Sequence, residues 1–432
     1  MTAAQAQAGM AASGWAAGVP DALASVYCVW YLMVTAVCAI GYDQLNRRFT
    51  RARRAAVASD SDAPGVTILR PLKGMDTEFE ACIRSAFAQD YPTFEICFCV
   101  DSADDPAIAV VERLMKEYAD VPSRLFVGAE KHGVNPKVNN LSRAYAEAAH
   151  DIVWVLDSNV YVTPGALGRS VEALARPRIQ LVHHLPLCVD ISGHRGSRLD
   201  EMFLATAHAK FYVAINTVSV AACITGKSNL FRRSDLNRAQ PDGIRAFAPY
   251  IAEDQAIGEA LWAQGGRHGM TGDAAIQPVG NVALRDYYMR RMRWLRVRKY
   301  MVTAATMVEP FTECFLHGAL GSLALRRLTG VPAAPAFAVH VLVWCALDYW
   351  LYWRLATRGN VEAGPETPYF ARPAFARGKH TARSWLASWL LRETLALPIW
   401  LNAMAGRQLI WRDRTFYLRP DNTAVEIADD RQ

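Results

Sequence analysis

The chain has 432 residues, with Lys+Arg 47 against Asp+Glu 41 and a formal net charge of +6. So mild an excess does not fit a nucleic-acid binder, and the length leaves room for a large core and more than one structural region. Hydrophobic residues make up 52% and gather at the two ends, while nine scattered cysteines without a CxxC pair exclude a zinc ribbon or a disulfide framework and indicate reduced, cytosolic thiols.

Residues 1–22 are Ala-rich and are expected to be disordered. From Leu23 to Tyr42 the chain reads LASVYCVWYLMVTAVCAIGY, an uncharged apolar run long enough to span a bilayer as a helix. The arginine-rich RRFTRARR follows within a basic linker, residues 43–65. A cleaved signal peptide carries its basic region before the apolar core, so a retained anchor is expected, with the following residues cytoplasmic.

Residues 66–300 alternate strand-like and helix-like runs. VTILRPL leads to an amphipathic run from about Thr77, in which Phe79, Cys82, Ile83 and Phe87 share a face. FEICFCV precedes a helix expected from about Pro106 to Tyr118, SRLFVG precedes one around Lys137–Ala149, and DIVWVLDSNV follows. This alternation predicts an α/β domain with a mostly parallel sheet and helices on both faces. Neither GxGxxG nor GxxxxGK[ST] occurs, so the dinucleotide fingerprint and the P-loop are absent.

Three acidic clusters stand out: Asp101, Asp104 and Asp105 at one strand end, Asp157 at another, and Glu253 with Asp254 at a helix start. An aspartate after a buried strand often caps a turn or the next helix. At the carboxyl edge of a parallel sheet it can equally hold a metal or a phosphate. A hard cation such as Mg²⁺ or Mn²⁺ takes carboxylate oxygens and leaves positions open for substrate phosphates. YYMRRMRWLRVRKY, residues 287–300, sets a cation beside Trp294; it suits anionic lipid and also a leaving diphosphate.

Beyond residue 300 the apolar runs return as a membrane region, residues 301–410, with about two spans plus interfacial helices. Ala336–Leu355 is the better span, with Asp348 inside it. Ser384–Met404 carries Arg392, Glu393 and Pro398, as a third span or a surface helix, and Phe311–Leu328 is a further short segment. Residues 411–432 are expected to form a tail.

In order, DDP, DS, ED and RxxRW resemble the aspartate motifs and (Q/R)xxRW signature of lipid-directed glycosyltransferases. RPLKGMD, DYPTFEICFCV, DDPAI, GVNPKVNNL, YIAEDQA and MRRMRW resemble more closely the ceramide glucosyltransferase family, from about Val66 to Tyr300; the anchor, EPFTECF and DYW fit as well. The resemblance implies a Rossmann-like GT-A domain on the cytoplasmic face of an inner or Golgi membrane. It would take a UDP-sugar donor, a divalent metal (Mg²⁺ or Mn²⁺) and a ceramide acceptor among membrane lipids.

By the same resemblance Asp105 faces the uridine with Asp101 beside it, Asp157 binds the metal, and Asp254 is the general base. Arg290, Arg293 and Trp294 match the leaving-group motif, and Lys137, His208 and Cys223 match residues near the donor site. Three departures bear on the sugar: Asn159 stands where Gly is expected, Lys227 where an apolar Met is expected, and Asn229 where Cys is expected. A lysine there brings a UDP-glucuronate donor into consideration beside the default UDP-glucose. The motifs are also compatible with a different lipid acceptor, such as diacylglycerol or polyprenyl phosphate. A non-catalytic lipid- or nucleotide-binding protein that retains the fold is the reading from outside the enzymes.

Overall fold

The computed structural model describes residues 20–49, 55–60, 62–358, 366–372, 375, 381–411 and 414–427. The expected disordered segment falls almost wholly outside them. α1 (Asp21–Arg48) is a single helix with Asp21 in its first turn and Arg47 and Arg48 in its last, charges that complement the helix dipole. The body follows as β1 (Val66–Leu72), α2 (Phe79–Phe87), β2 (Phe94–Val100), α3 (Ala107–Glu117), β3 (Ser123–Val127), α4 (Pro136–Ala146) and β4 (Ile152–Leu156). Next come α5 (Ala166–Leu174), β5 (Ile179–Asp190), α6 (Arg195–Phe203), α7 (Ala209–Val218), β6 (Ser228–Arg232), α8 (Arg233–Ala239), α9 (Glu253–Ala263), β7 (Arg267–Val279) and α10 (Leu284–Met301).

These strands form one sheet in the order β3-β2-β1-β4-β6-β5-β7. β1 to β4 are mutually parallel, as the alternation predicts, whereas β6 runs antiparallel to both β4 and β5. The reversal has a consequence for the site. Leu156 pairs with Ser228, so the residue before β6, Lys227, lies at the carboxyl end of β4 beside Asp157. β4 is central and all five of its residues are buried, which explains its unbroken apolar sequence. Apolar side chains from β1, β2, β4, α2, α3 and α5, including Phe98 and Trp154, fill one face of the sheet. Val138, Leu141, Phe231 and Leu261 contribute to a second cluster.

The C-terminal part contains α11 (Thr303–Val308), α12 (Cys314–Thr329), α13 (Ala333–Arg358) and α14 (Ala382–Ala405). Among the described residues, α1 and Ala333–Ala356 of α13 are the two helices long and apolar enough to cross a membrane. α14 is continuous through Pro398, and its Arg392 and Glu393 are buried rather than solvated. Residues 408–427, within and around the expected tail, form a small antiparallel sheet of β8 (Gln408–Trp411), β9 (Arg414–Leu418) and β10 (Ala424–Ile427).

One ion pair joins the body to the apolar helices. Lys210 of α7 lies 2.7 Å from Asp348 of α13, and both side chains are fully buried. Tyr42 of α1 donates to Asp348 Oδ1 at 2.9 Å and Trp389 of α14 donates to Oδ2 at 3.0 Å. The Lys210 ammonium also sits 4.1 Å from the Trp344 ring centre. A buried carboxylate is tolerated because both its oxygens are satisfied. α1 and α7 approach so closely that a Cβ at Gly41 would lie 2.2 Å from the Lys210 carbonyl oxygen. Asp348→Ala is therefore expected to lose about 3–5 kcal/mol, since it strands the Lys210 charge, while Lys210→Met combined with Asp348→Leu loses much less. Thermal unfolding in detergent distinguishes the two; equal losses would mean that the pair's charges are unimportant.

Candidate active site

Asp157 follows β4 directly, and its backbone N–H donates to the Lys227 carbonyl at 3.1 Å. Its carboxylate holds two ammonium groups, Lys137 Nζ at 2.8 Å on Oδ1 and Lys227 Nζ at 3.2 Å on Oδ2. Burial pushes the Asp157 pKa up, but the two lysines outweigh it and hold the carboxyl below its usual value. Lys227 Nζ also donates to Asn159 Oδ1 at 3.1 Å. Two of the three positions that depart from the family pattern are thus in contact, and Lys227 is satisfied by Asp157 and Asn159.

Lys137 is brought here by the start of α4. Asn135 caps that helix, its side chain accepting from Lys137 N at 2.8 Å and Val138 N at 3.2 Å, with Pro136 pre-set at the first helical position. The ammonium reaches Glu253 Oε1 at 3.0 Å as well as Asp157, and donates to the Gly226 carbonyl. Burial lowers its pKa, yet the neighbouring carboxylates more than reverse this, so Lys137 stays charged. Asn135 Nδ2 closes the loop by donating to Glu253 Oε2 at 2.8 Å and to the Tyr250 carbonyl at 2.7 Å.

Asp254 stands in the first turn of α9, beside Glu253. Gly226 packs against it so tightly that a Cβ there would come within 3.0 Å of Oδ2. It makes no ion pair among the described residues, because Lys137 and Lys227 are already shared by Asp157 and Glu253. Burial first, and then Glu253, push its pKa up to about 7 against the pull of Lys137. A carboxylate poised there is suited to accept a proton near neutral pH.

Asp105 serves a structural purpose here. Its oxygens accept from Gly74 N at 2.8 Å and Ala107 N at 2.9 Å, capping α3 and tying down the turn after β1, where Gly74 has φ +64°. Asp101 is exposed at the end of β2 and, like Asp104, makes no ion pair with the Lys137 cluster. Arg290 donates to Asp200 at 2.9 Å and to Gln277 at 3.3 Å, and lies 5.1 Å from the Trp294 ring centre. Arg293 is half-buried three residues further along α10. Arg291, which the motif match passed over, is the buried one, 3.4 Å from the Phe203 ring centre.

His208 lies in a π-turn (Leu204–His208) between α6 and α7 and stacks on Tyr212 at 4.9 Å. Burial, and then Arg291 and Arg298, push its pKa down to about 3, so it is neutral. Burial pushes the Cys223 thiol up to about 11, leaving it protonated and a poor nucleophile. The structure therefore brings Asp157, Lys137, Lys227 and Asp254 together. It leaves Asp101 at the rim and Arg290, Trp294 and His208 on a flanking wall. Sequence reasoning singled out Glu253 only as a neighbour of Asp254 and missed Asn135 and Asp200 as participants; the Asn-Pro before Lys137 was the one visible signal, an N-cap followed by a first-turn proline.

Among the described residues no group of three His, Cys, Asp or Glu side chains forms a ready metal site. The donor chemistry still fits a Mg²⁺-like ion that arrives with a diphosphate, because such ions take one or two carboxylates and fill the remainder with phosphate oxygens and water. Asp157 is the carboxylate that would hold it, and the lysine contacts on its two oxygens would have to yield.

Comparison with known proteins identifies the family. The family model for glycosyl transferase family 21 matches residues 31–424. A ceramide glucosyltransferase of Komagataella phaffii is 42% identical, the alignment covering 94% of this chain and 92% of the relative. One from Pyricularia oryzae is 37% identical over 95% of this chain and 96% of its own. A mannosyltransferase of Pyrobaculum calidifontis, solved with GDP-Man and Mn²⁺, superposes with TM-score 0.46 at 18% identity, covering 86% of this chain and 99% of that one. The family match spans the seven-stranded sheet and extends into the small C-terminal one, and the chain belongs to glycosyl transferase family 21.

Proposed function

We propose that this protein transfers a sugar, by default glucose, from a UDP-sugar to the primary hydroxyl of ceramide, inverting the anomeric centre. The observation that carries the proposal is a half-buried Asp254, poised near neutral pH, beside a Lys137–Asp157–Lys227 cluster at the carboxyl edge of the sheet. The name shared by the Komagataella and Pyricularia relatives supports ceramide as acceptor.

Asp254 takes the proton of the ceramide hydroxyl as its oxygen bonds to the anomeric carbon and the bond from that carbon to the UDP oxygen breaks. Lys137, Lys227, Arg290 and Arg293 offset the charge that grows on UDP, and Trp294 packs beside the sugar. Asp101 contacts the uridine side, and Asp105 shapes it by holding the Gly74 turn in place. His208 and Cys223 line the site as neutral groups. A divalent metal on Asp157, when bound, neutralises further diphosphate charge. With α1 and α13 as spans, the arginines ending α1 put the catalytic body on the cytoplasmic side. Purified protein incubated with ceramide and a panel of UDP-sugars should give ceramide heavier by one hexose; transfer only to diacylglycerol or polyprenyl phosphate would replace the acceptor.

Asp254→Asn is expected to cut kcat by about 10²–10⁴-fold while UDP binding persists. The wild-type kcat should rise as pH passes upward through about 7, because only the ionised carboxylate of Asp254 accepts a proton. A profile flat from pH 5 to 9 would remove Asp254 from the role.

Asp157→Asn is expected to nearly abolish turnover without unfolding the protein, since the residue lies at a strand end. Normal turnover of the folded variant at saturating Mn²⁺ would end the ligand assignment.

The contacts of Lys227 favour glucose over glucuronate, because the protein itself supplies the partner of the ammonium. Lys227→Met should therefore reduce activity with UDP-glucose and UDP-glucuronate by the same factor. Selective loss with UDP-glucuronate would reassign the lysine to the sugar carboxylate.

A further inference from the structure

The small C-terminal sheet touches three of the segments that carry the proposed chemistry, those that lead into Lys137 and Asp254 and the helix that bears Trp294. Leu409, Phe416, Leu418 and Ala424 are buried in one apolar cluster with Val297 of α10, and Val134, Ile251, Ala252, Tyr300 and Met301 pack against it. Val134 immediately precedes Asn135, whose helix bears Lys137. Ile251 and Ala252 immediately precede Glu253 and Asp254, and Val297 lies one turn beyond Trp294. β10 also bonds directly to the segment before α9. Ala424 N donates to the Pro249 carbonyl at 3.0 Å, and Tyr250 and Thr423 form an antiparallel bridge. On the opposite side the same segment is held by Asn135, which donates to the Tyr250 carbonyl through Nδ2 and to the Ala248 carbonyl through its backbone N–H.

α10 is fastened to the approach to this sheet as well. Arg296 donates to the Gln408 carbonyl and, at 3.2 Å, to Asn402 Oδ1, and Lys299 donates to the Met404 carbonyl at 2.7 Å. The turn into β10 is itself built tightly: Asp421 Oδ1 accepts from Thr423 N at 3.0 Å and Thr423 Oγ1 at 2.7 Å, with Asn422 at φ +67°.

We propose that the β8–β10 sheet is a positioning element of the active site, clamping the segment 249–252 so that Asp254 is held in register with the leaving-group helix α10. Without it the segment that leads into the base would keep its bonds to Asn135 and lose those to β10, and reacting groups displaced by about 1 Å can lose on the order of 10²-fold in rate. The inference rests on Asp254 being the base.

Ala424→Pro removes the N–H that reaches Pro249, and Ala424→Ser keeps it. The expected result is that Ala424→Pro lowers kcat by about 10- to 100-fold, with the KM for UDP-glucose and the Kd for UDP unchanged, and that Ala424→Ser restores kcat. Should Ala424→Pro not fold, Phe416→Leu and Phe416→Ser, which keep and lose the apolar packing, provide the same comparison. Unchanged kcat in a folded Ala424→Pro or Phe416→Ser protein would overturn the proposal. So would parallel loss of UDP binding and kcat, which marks a general structural role. Asp254→Asn in the same assay separates the premises: if it keeps full turnover the base assignment fails, and if it is inactive while Ala424→Pro is normal, only the clamp fails.

Discussion

Everything at this site depends on how two half-buried ammonium groups are divided among three carboxylates. Lys137 is shared by Asp157 and Glu253, and Lys227 takes the other oxygen of Asp157. Asp254 is the carboxylate left over, half-buried and beside a second negative group. Its pKa is raised by burial first and then by Glu253, an imbalance that Lys137 offsets only in part. The same imbalance suits an active site, since a charge network that satisfied every member would have no proton acceptor to offer near neutral pH.

A second constraint is the loss of freedom beneath that network. Arg70 is fully buried on β1 and donates to the carbonyls of Cys82, Ser158 and Val160, under the turn that carries Asp157 and Asn159. Burial pushes its pKa down to about 10, and it remains charged near neutral pH. Asn140 likewise ties the ends of β1 and β2 by donating to the carbonyls of Leu72 and Cys99. These bonds satisfy strand-end carbonyls that would otherwise lie buried without donors, and they hold the Asp157 turn where the lysines find it.

The Lys210–Asp348 pair extends this ordering to the apolar helices. It joins α7, α13, α1 and α14 through Tyr42 and Trp389, so the catalytic body is fixed relative to the two helices able to cross a membrane. α7 is also continuous, through the π-turn of His208, with α6, where Asp200 receives Arg290. Arg290 and the two long apolar helices are therefore linked through α6 and α7.

Much of this was legible in the chain itself. Periodicity and length marked α1, β1 to β4 and their helices, because local burial patterns repeat at 2 or 3.6 residues whatever the neighbours are. Ordered motifs marked Asp157, Asp254, Lys137 and Arg290. The sequence could show that Lys227 and Asn159 were unusual, but not that they meet: their contact follows from β6 reversing direction against β4, a matter of strand pairing between distant segments. Residues 411–432 read as a tail because four- and five-residue strands carry little periodic signal, and their burial depends on Val134, Ile251 and Val297 lying far away in sequence. Residue types and local order came from the sequence alone. Which charge pairs with which, and so which carboxylate stays free to take a proton, was decided only by tertiary structure, because Coulomb interactions and burial depend on distance in space rather than along the chain.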